Sequence, residues 1–335
     1  MKPPADHPSI PKPKVGVLLI NLGTPNTPEP GSVKLYLKEF LSDPRVVEIP
    51  QLVWQPILRG IILNTRPKKS AHAYKQVWTE EGSPLAAITA RQARALAGAF
   101  GGSVIVDYAM RYGRPAIAAR IDALKAEGCE RILIAPLYPQ YCAATTATAN
   151  DEAFAHLRKL RWQPAIRTLP PYYEDPAYIE ALKTVVEESL ASLDFEPQAV
   201  IASFHGMPER TLELGDPYHC HCRKTARLLS KVMGRDLMVA FQSRFGRAKW
   251  LTPATDTMLA ELPAKGIKKV AILAPGFSAD CLETLEELSI RGRETFVEAG
   301  GTHFAYLPCL NDSGPGLDML RSVIGRELEG WVTPP

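Results

Sequence analysis

Short apolar runs alternate with longer amphipathic stretches along most of the chain, a pattern that predicts parallel strands joined by helices. Residues 14–20 (KVGVLLI) read as a buried strand, with helices over 32–41 and 84–100, a second strand at 103–109, a helix at 116–126 and a third strand at RILIAP. The second half reads the same way. AVIASFHGMP (199–208) runs a strand into a histidine, LMVAFQSRFGR (237–247) and KVAILAP hold two more strands, and a last helix is predicted over about 314–331.

The halves also share details. Gly23 and Pro25 end the first strand as Gly206 and Pro208 end the strand at 199–204, and Arg-aromatic-Gly-Arg recurs at 111–114 and 244–247. Three matches in one order predict two similar α/β domains, 14–163 and 164–313, after a disordered tail at 1–13, with the last helix packing back on the first domain. On this alignment the first domain carries about 50 extra residues between Asp43 and Pro84. Val53, Trp54, Ile57, Leu58, Ile61, Ile62 and Leu63 lie there, followed by Arg66, Lys68 and Lys69. Apolar faces with a basic rim suit a flat hydrophobic ligand bearing carboxylates, or a membrane surface; a core helix with a solvated basic end reads equally well. Pro56 and Gly60 argue against one long helix.

Composition narrows the class. The 335 residues, 46% of them hydrophobic, suffice for two proper cores, and a net charge of +3 does not suggest nucleic acid. No apolar run approaches the ~18 residues of a membrane span, and the Pro- and Lys-rich start lacks the apolar stretch of a signal peptide. Six cysteines without such a signal predict reduced thiols in a cytoplasmic protein. One glycine in the first strand-to-helix turn argues against a dinucleotide enzyme.

His205 ends its strand where ligands of open α/β sheets sit. A histidine there can simply hydrogen-bond its own turn. Asp280, Glu283, Glu286 and Glu287, however, open a helix after another strand, and Glu283 and Glu287 share a face. Asp280 and Glu283 have the spacing of a capping box, but the remaining carboxylates are not explained by capping. The set suits a divalent metal or proton transfer.

INLGTP, MRYGRP, LYPQY, SFHGMP, GDPY, FQSRFG and PGFSADCLETLEE stand in this order between about Lys14 and Asn311, and in them the chain resembles the ferrochelatases. The resemblance implies two Rossmann-like domains with parallel four-stranded sheets flanked by helices, like class II chelatases, around a porphyrin cleft. It implies a lyase that inserts Fe²⁺ into protoporphyrin IX, giving protohaem and two protons. His205 and Glu283 are then the catalytic and metal-site pair, and the insertion is a lip over the macrocycle. Arg111 and Tyr138 match cleft positions; Tyr74, Ile61, Ile62 and Leu63 are candidates on the lip side. On chemical grounds His205 can be base or metal ligand, and Asp280 and Glu287 can carry protons or metal outward.

No cofactor is expected, Fe²⁺ being a substrate. YHCHC (218–222) offers closely set ligands, but a helix starting at Pro217 would point Cys220 and Cys222 apart. Some family members hold a [2Fe-2S] cluster through cysteines near the carboxyl terminus; here none follows Cys309, and no cluster ligands are assigned. Those members with more animal-like sequences place a histidine where Cys281 stands. A non-catalytic haem or iron carrier, a coproporphyrin ferrochelatase and a two-domain glycosyltransferase remain as alternatives, and peripheral membrane contact through the lip and the oligomeric state stay open.

Overall fold

The computed structural model describes residues 13–102, 104–246 and 248–332; all of the expected tail except Pro13 lies outside them. Two parallel sheets form the frame. The first has the order β2 (Val104–Gly113), β1 (Lys14–Thr24), β3 (Cys129–Pro136), β4 (Ala165–Thr168). The second has the corresponding order β6 (Leu237–Gln242), β5 (Ala199–His205), β7 (Lys269–Leu273), β8 (His303–Leu307). A domain boundary at 163/164 therefore falls too early, because β4 pairs with β3 and the first sheet runs to Thr168.

Helices α1 (Pro30–Ser42), α4 (Pro84–Phe100), α5 (Ile117–Ala126) and α6 (Thr148–Leu157) accompany the first sheet. The second carries α7 (Pro176–Ala191), α8 (Glu209–Glu213), α9 (Tyr218–Met233), α10 (Thr255–Glu261) and α11 (Arg293–Glu298). Strand alternation divides the packing. Val15, Val17 and Leu19 share one buried cluster with Val200, Ala202 and Phe204 of β5, while Leu18 and Ile20 pack with α5 and α6 on the other face. One apolar core thus joins both sheets. Helix α12 (Gly314–Glu327) packs on α4 and α7, and Arg167 of β4 donates to the carbonyls of Glu327 and Glu329.

The repeated glycines have a steric cause. A Cβ on Gly23 would lie 1.8 Å from the Tyr112 carbonyl oxygen, and one on Gly206 would lie 2.5 Å from that of Gln242. In both domains the loop then returns to the strand, Met110 N–H donating to Pro115 O at 2.8 Å and Phe241 N–H to Pro253 O at 2.9 Å. This register equates Arg111 with Gln242, so the Arg111–Arg244 match was a coincidence two positions out of step. Arg111 points into a buried network, whereas Arg244 is exposed and pairs with Asp256.

The first-domain insertion contains α2 (Gln51–Ile57), a π-helical turn at Leu58–Ile62 and α3 (Leu63–Val77), one unbroken helical run despite Pro56 and Pro67. The expected break is absent because the π turn absorbs the misfit beside Pro56 within helical backbone angles. Trp54, Leu58, Leu63, Ala71 and Tyr74 face α1 in a third apolar cluster. Leu52, Val53, Ile57 and Ile61 face outward, Leu52 being 93% exposed. Of the three lip residues expected to touch porphyrin, then, only Ile61 is exposed. Ile62 is half-buried and Leu63 belongs to the core.

Candidate active site

β5 delivers His205 half-buried at its carboxyl end, paired in register with Gln242. Its Nδ1 lies 2.7 Å from the Gly206 carbonyl oxygen, which only accepts, so Nδ1 carries the proton. The turn bond foreseen for an ordinary histidine is thus made, and Nε2 has no hydrogen-bond partner among the described residues.

The acidic helix is fixed to the same strand end. Gln242 accepts from Ser203 Oγ at 2.8 Å and donates to the Glu283 carbonyl at 2.9 Å. Ser243, with φ at 64°, donates through N and Oγ to Glu287 at 2.8 and 2.6 Å. Its left-handed backbone is strained for a non-glycine residue and is held by that carboxylate. Burial pushes the Glu287 carboxyl up, against the opposing pull of Ser243, His205 and Arg291. The helix is π-wound over Glu283–Gly292, so Glu286 turns aside to Arg291 five residues on, at 2.9 Å.

Glu283 has no N–H or O–H donor for its carboxylate among the described residues, and its charge reaches Tyr36, Tyr74 and Arg66. Burial raises both tyrosines far above the usual phenol range, and Glu283 adds to it. Asp280 caps no backbone, contrary to the capping-box spacing. Thr284, Tyr306 and Asn311 donate to it at 2.8, 2.5 and 2.6 Å. It lines a depression of about 450 Å³ with Glu80, Glu81 and Arg91. A second, of about 470 Å³, lies between Pro170 and Arg326 and is not lined by His205.

Tyr138 is half-buried with an enclosed, unpartnered hydroxyl. Arg111 is less available than its motif suggests: the guanidinium donates to Asp43 at 2.6 Å and to Thr148, and its side chain is 13% exposed. Arg66 belongs to the basic rim that follows the apolar lip residues. It has no ion-pair partner among the described residues, lies 4.5 Å over the Phe245 ring, and is pushed down by burial against the charge of Glu283.

Among the described residues no three His, Cys, Asp or Glu side chains gather as a metal-holding group. In YHCHC the side chains diverge: Cys220 is exposed, Cys222 is buried, His221 accepts from Tyr141 N–H and stacks on Tyr173 at 3.6 Å, and His219 lies against Phe241.

Twin parallel sheets, a histidine at one strand end and a carboxylate helix at the next define a two-domain chelatase-like protein. SirB from Bacillus subtilis with Fe³⁺ shares the fold at a TM-score of 0.53 and 12% identity, with 94% of this chain and 97% of that one covered. The sirohydrochlorin chelatase SirB from Bacillus subtilis subspecies spizizenii in complex with cobalt gives 0.54 and 11%, covering 95% and 97%. The ferrochelatase family model matches residues 14–328. Ferrochelatases of Agrobacterium fabrum and Rhizobium meliloti are each 54% identical over 98% of both chains, and that of Nitrobacter hamburgensis is 52% identical over 95% of this chain and 94% of its own. The chain belongs to the ferrochelatase family, lyases that insert iron into porphyrin.

Proposed function

We propose that this chain inserts Fe²⁺ into protoporphyrin IX with His205 and Glu283 at the reacting centre. The observation that supports this most strongly is the His205 ring, anchored through Nδ1–H with Nε2 free, on a strand whose neighbour tethers the carboxylate helix. Metal insertion expels two pyrrole protons, and a neutral imidazole is a competent acceptor near pH 7. The carboxylate of Glu283, without an N–H or O–H donor among the described residues, can receive a proton or meet the metal. Glu287, its proton affinity raised by burial, is the next acceptor along the helix. Asp280, held by three donors beside the depression with Glu80 and Glu81, would pass charge outward.

Tyr138 and Ile61 would bound the macrocycle, Tyr74 backing the lip from its buried cluster against α1, and the unpaired Arg66 suits one of its carboxylates. Arg111 acts on this reading from below the cleft. The exposed apolar lip face would rest on a membrane surface, and no helix among the described residues is long and apolar enough to cross one. No resident cofactor is proposed.

Anaerobic turnover with Fe²⁺ and either protoporphyrin IX or coproporphyrin III tests the reaction and its substrate together. His205→Ala is expected to lower the rate by about 10²–10⁴-fold while porphyrin still binds. Turnover like the wild type's would remove His205 from the chemistry, and binding without turnover by the wild type would favour a carrier.

A further inference from the structure

Asp43 ends α1 and begins the lip, and both of its carboxylate oxygens are engaged. Oδ1 accepts from Arg45 N–H at 2.8 Å; Oδ2 accepts from Arg111 at 2.6 Å and from the Tyr112 hydroxyl at 2.9 Å. The hydrogen bonds around it have one consistent direction. With the Tyr112 proton given to Asp43, Thr148 must donate to the Tyr112 oxygen, 3.1 Å away, and the Thr148 oxygen in turn accepts from Arg111 Nε. Arg45 closes the cluster through Asp151. Both the Asp43 and Arg111 side chains are nearly buried, at 8% and 13% exposure. Three pieces of chain far apart in sequence therefore join in one network: the root of the lip and the end of β2 meet on the Asp43 carboxylate, and the start of α6 is tied in through Arg111 and Tyr112.

The network leads to the site. Tyr112 packs edge-on against Phe40 at 5.1 Å, Phe40 stacks on Tyr36 at 6.0 Å, and buried Tyr36 lies within the field of Glu283. We infer that Asp43 is a positioning residue for porphyrin binding: through Arg111 and Tyr112 it fixes the root of the lip and the aromatic wall against the sheet. This rests on the reaction proposed above. Asparagine cannot replace it, because an amide turned to accept from Arg111 and Tyr112 presents its N–H₂ to the Arg45 N–H.

The test is a double-mutant cycle of Asp43→Asn and Arg111→Gln, with KM for protoporphyrin, KM for Fe²⁺ and kcat measured separately. Expected is a rise in porphyrin KM of about tenfold in Asp43→Asn, with kcat and the Fe²⁺ KM little changed, and no further rise in the double variant. A merely structural residue would lower the melting temperature and the active fraction and leave porphyrin KM alone. That outcome, or additive effects of the two changes, would overturn the inference. Should Asp43→Asn fail to fold, Tyr112→Phe removes one donor from the same carboxylate, and an unchanged porphyrin KM there counts equally against it. Wild-type turnover measured alongside separates the two ideas: its absence would remove the reaction, whereas its presence with unaltered variants would remove only the role of Asp43.

Discussion

Glu287 takes two hydrogen bonds from Ser243 and is nevertheless raised, because burial outweighs them together with the charges of His205 and Arg291. A carboxyl raised on folding contributes stability that is complete below its unfolded value, near 4.3, and is lost as pH rises through the folded value. Glu287→Gln imitates the protonated form. Its melting temperature relative to the wild type should therefore improve as pH rises from about 4 to 8. A relative decline over that range, measured by thermal denaturation, would show the ionised carboxylate to be the favoured partner of Ser243. Asp43 runs the other way: burial would raise it, but Arg45 N–H, Tyr112 and Arg111 together bring it below its ordinary range, so its contribution is lost as pH falls through the folded value. The two groups show why the residue scale was only partly legible. His205 and the acids announced themselves by strand-end and helix spacing. Asp43 did not, because its partners Arg111 and Tyr112 are 68 and 69 positions away.

At the scale of elements, the lip is where apolar content misled. Ile61, Ile62 and Leu63 are consecutive, and a run without period cannot say which side chain faces out. Ordinary α-helical spacing from Trp54 and Leu58 would turn Ile61 and Ile62 inward; the π turn at Leu58–Ile62 instead brings Leu63, five residues on from Leu58, into the core and leaves Ile61 outward. Leu63→Ser should cost about 2–5 kcal/mol in chemical denaturation, whereas Ile61→Ser should stay within about 0.5 kcal/mol. Ile61→Ser combined with Leu52→Ser and Ile57→Ser should weaken flotation with anionic vesicles, and unchanged flotation would end the membrane reading. The π winding of Leu58–Ile62 and Glu283–Gly292 was not legible, since the residue types of π and α turns overlap and neighbouring packing decides between them.

Helix α9 carries a second prediction at this scale. A cluster needs four converging ligands, whereas Cys220 faces solvent and Cys222 is packed in the core beside Tyr218. Protein purified without air should lack iron-sulfur absorption bands, and Cys220→Ser should retain full activity. Cys222→Ser, placing a hydroxyl in that core, should lose stability without changing iron content. Two irons and two acid-labile sulfides per chain, lost in Cys220→Ser, would make YHCHC a ligand motif after all.

Over the whole molecule, the twin sheets are readable from two repeated strand ends, the Gly-x-Pro turns and the RILIAP and VAILAP runs, whereas their union is not. The sequence pattern marks each strand's buried faces without saying that β1 and β5 contribute to the same cluster. Polar contacts reinforce that cluster across the halves. Gln92 of α4 donates to the carbonyls of Ser278 and Asn311 at 3.3 and 2.7 Å, Arg91 pairs with Asp312 at 2.6 Å, and Ser278 joins Tyr172 to the Leu137 carbonyl. Two domains with separate cores would melt independently, but here exposing either sheet's inner face strips the other's. Calorimetry should show one endotherm whose calorimetric and van't Hoff enthalpies agree, and urea unfolding followed by fluorescence and by circular dichroism should coincide. Gln92→Leu keeps the helix but removes both donors from the second domain's loops, and should lower that single transition without splitting it. Two resolved transitions in the wild type would mean that the shared cluster does not couple the halves.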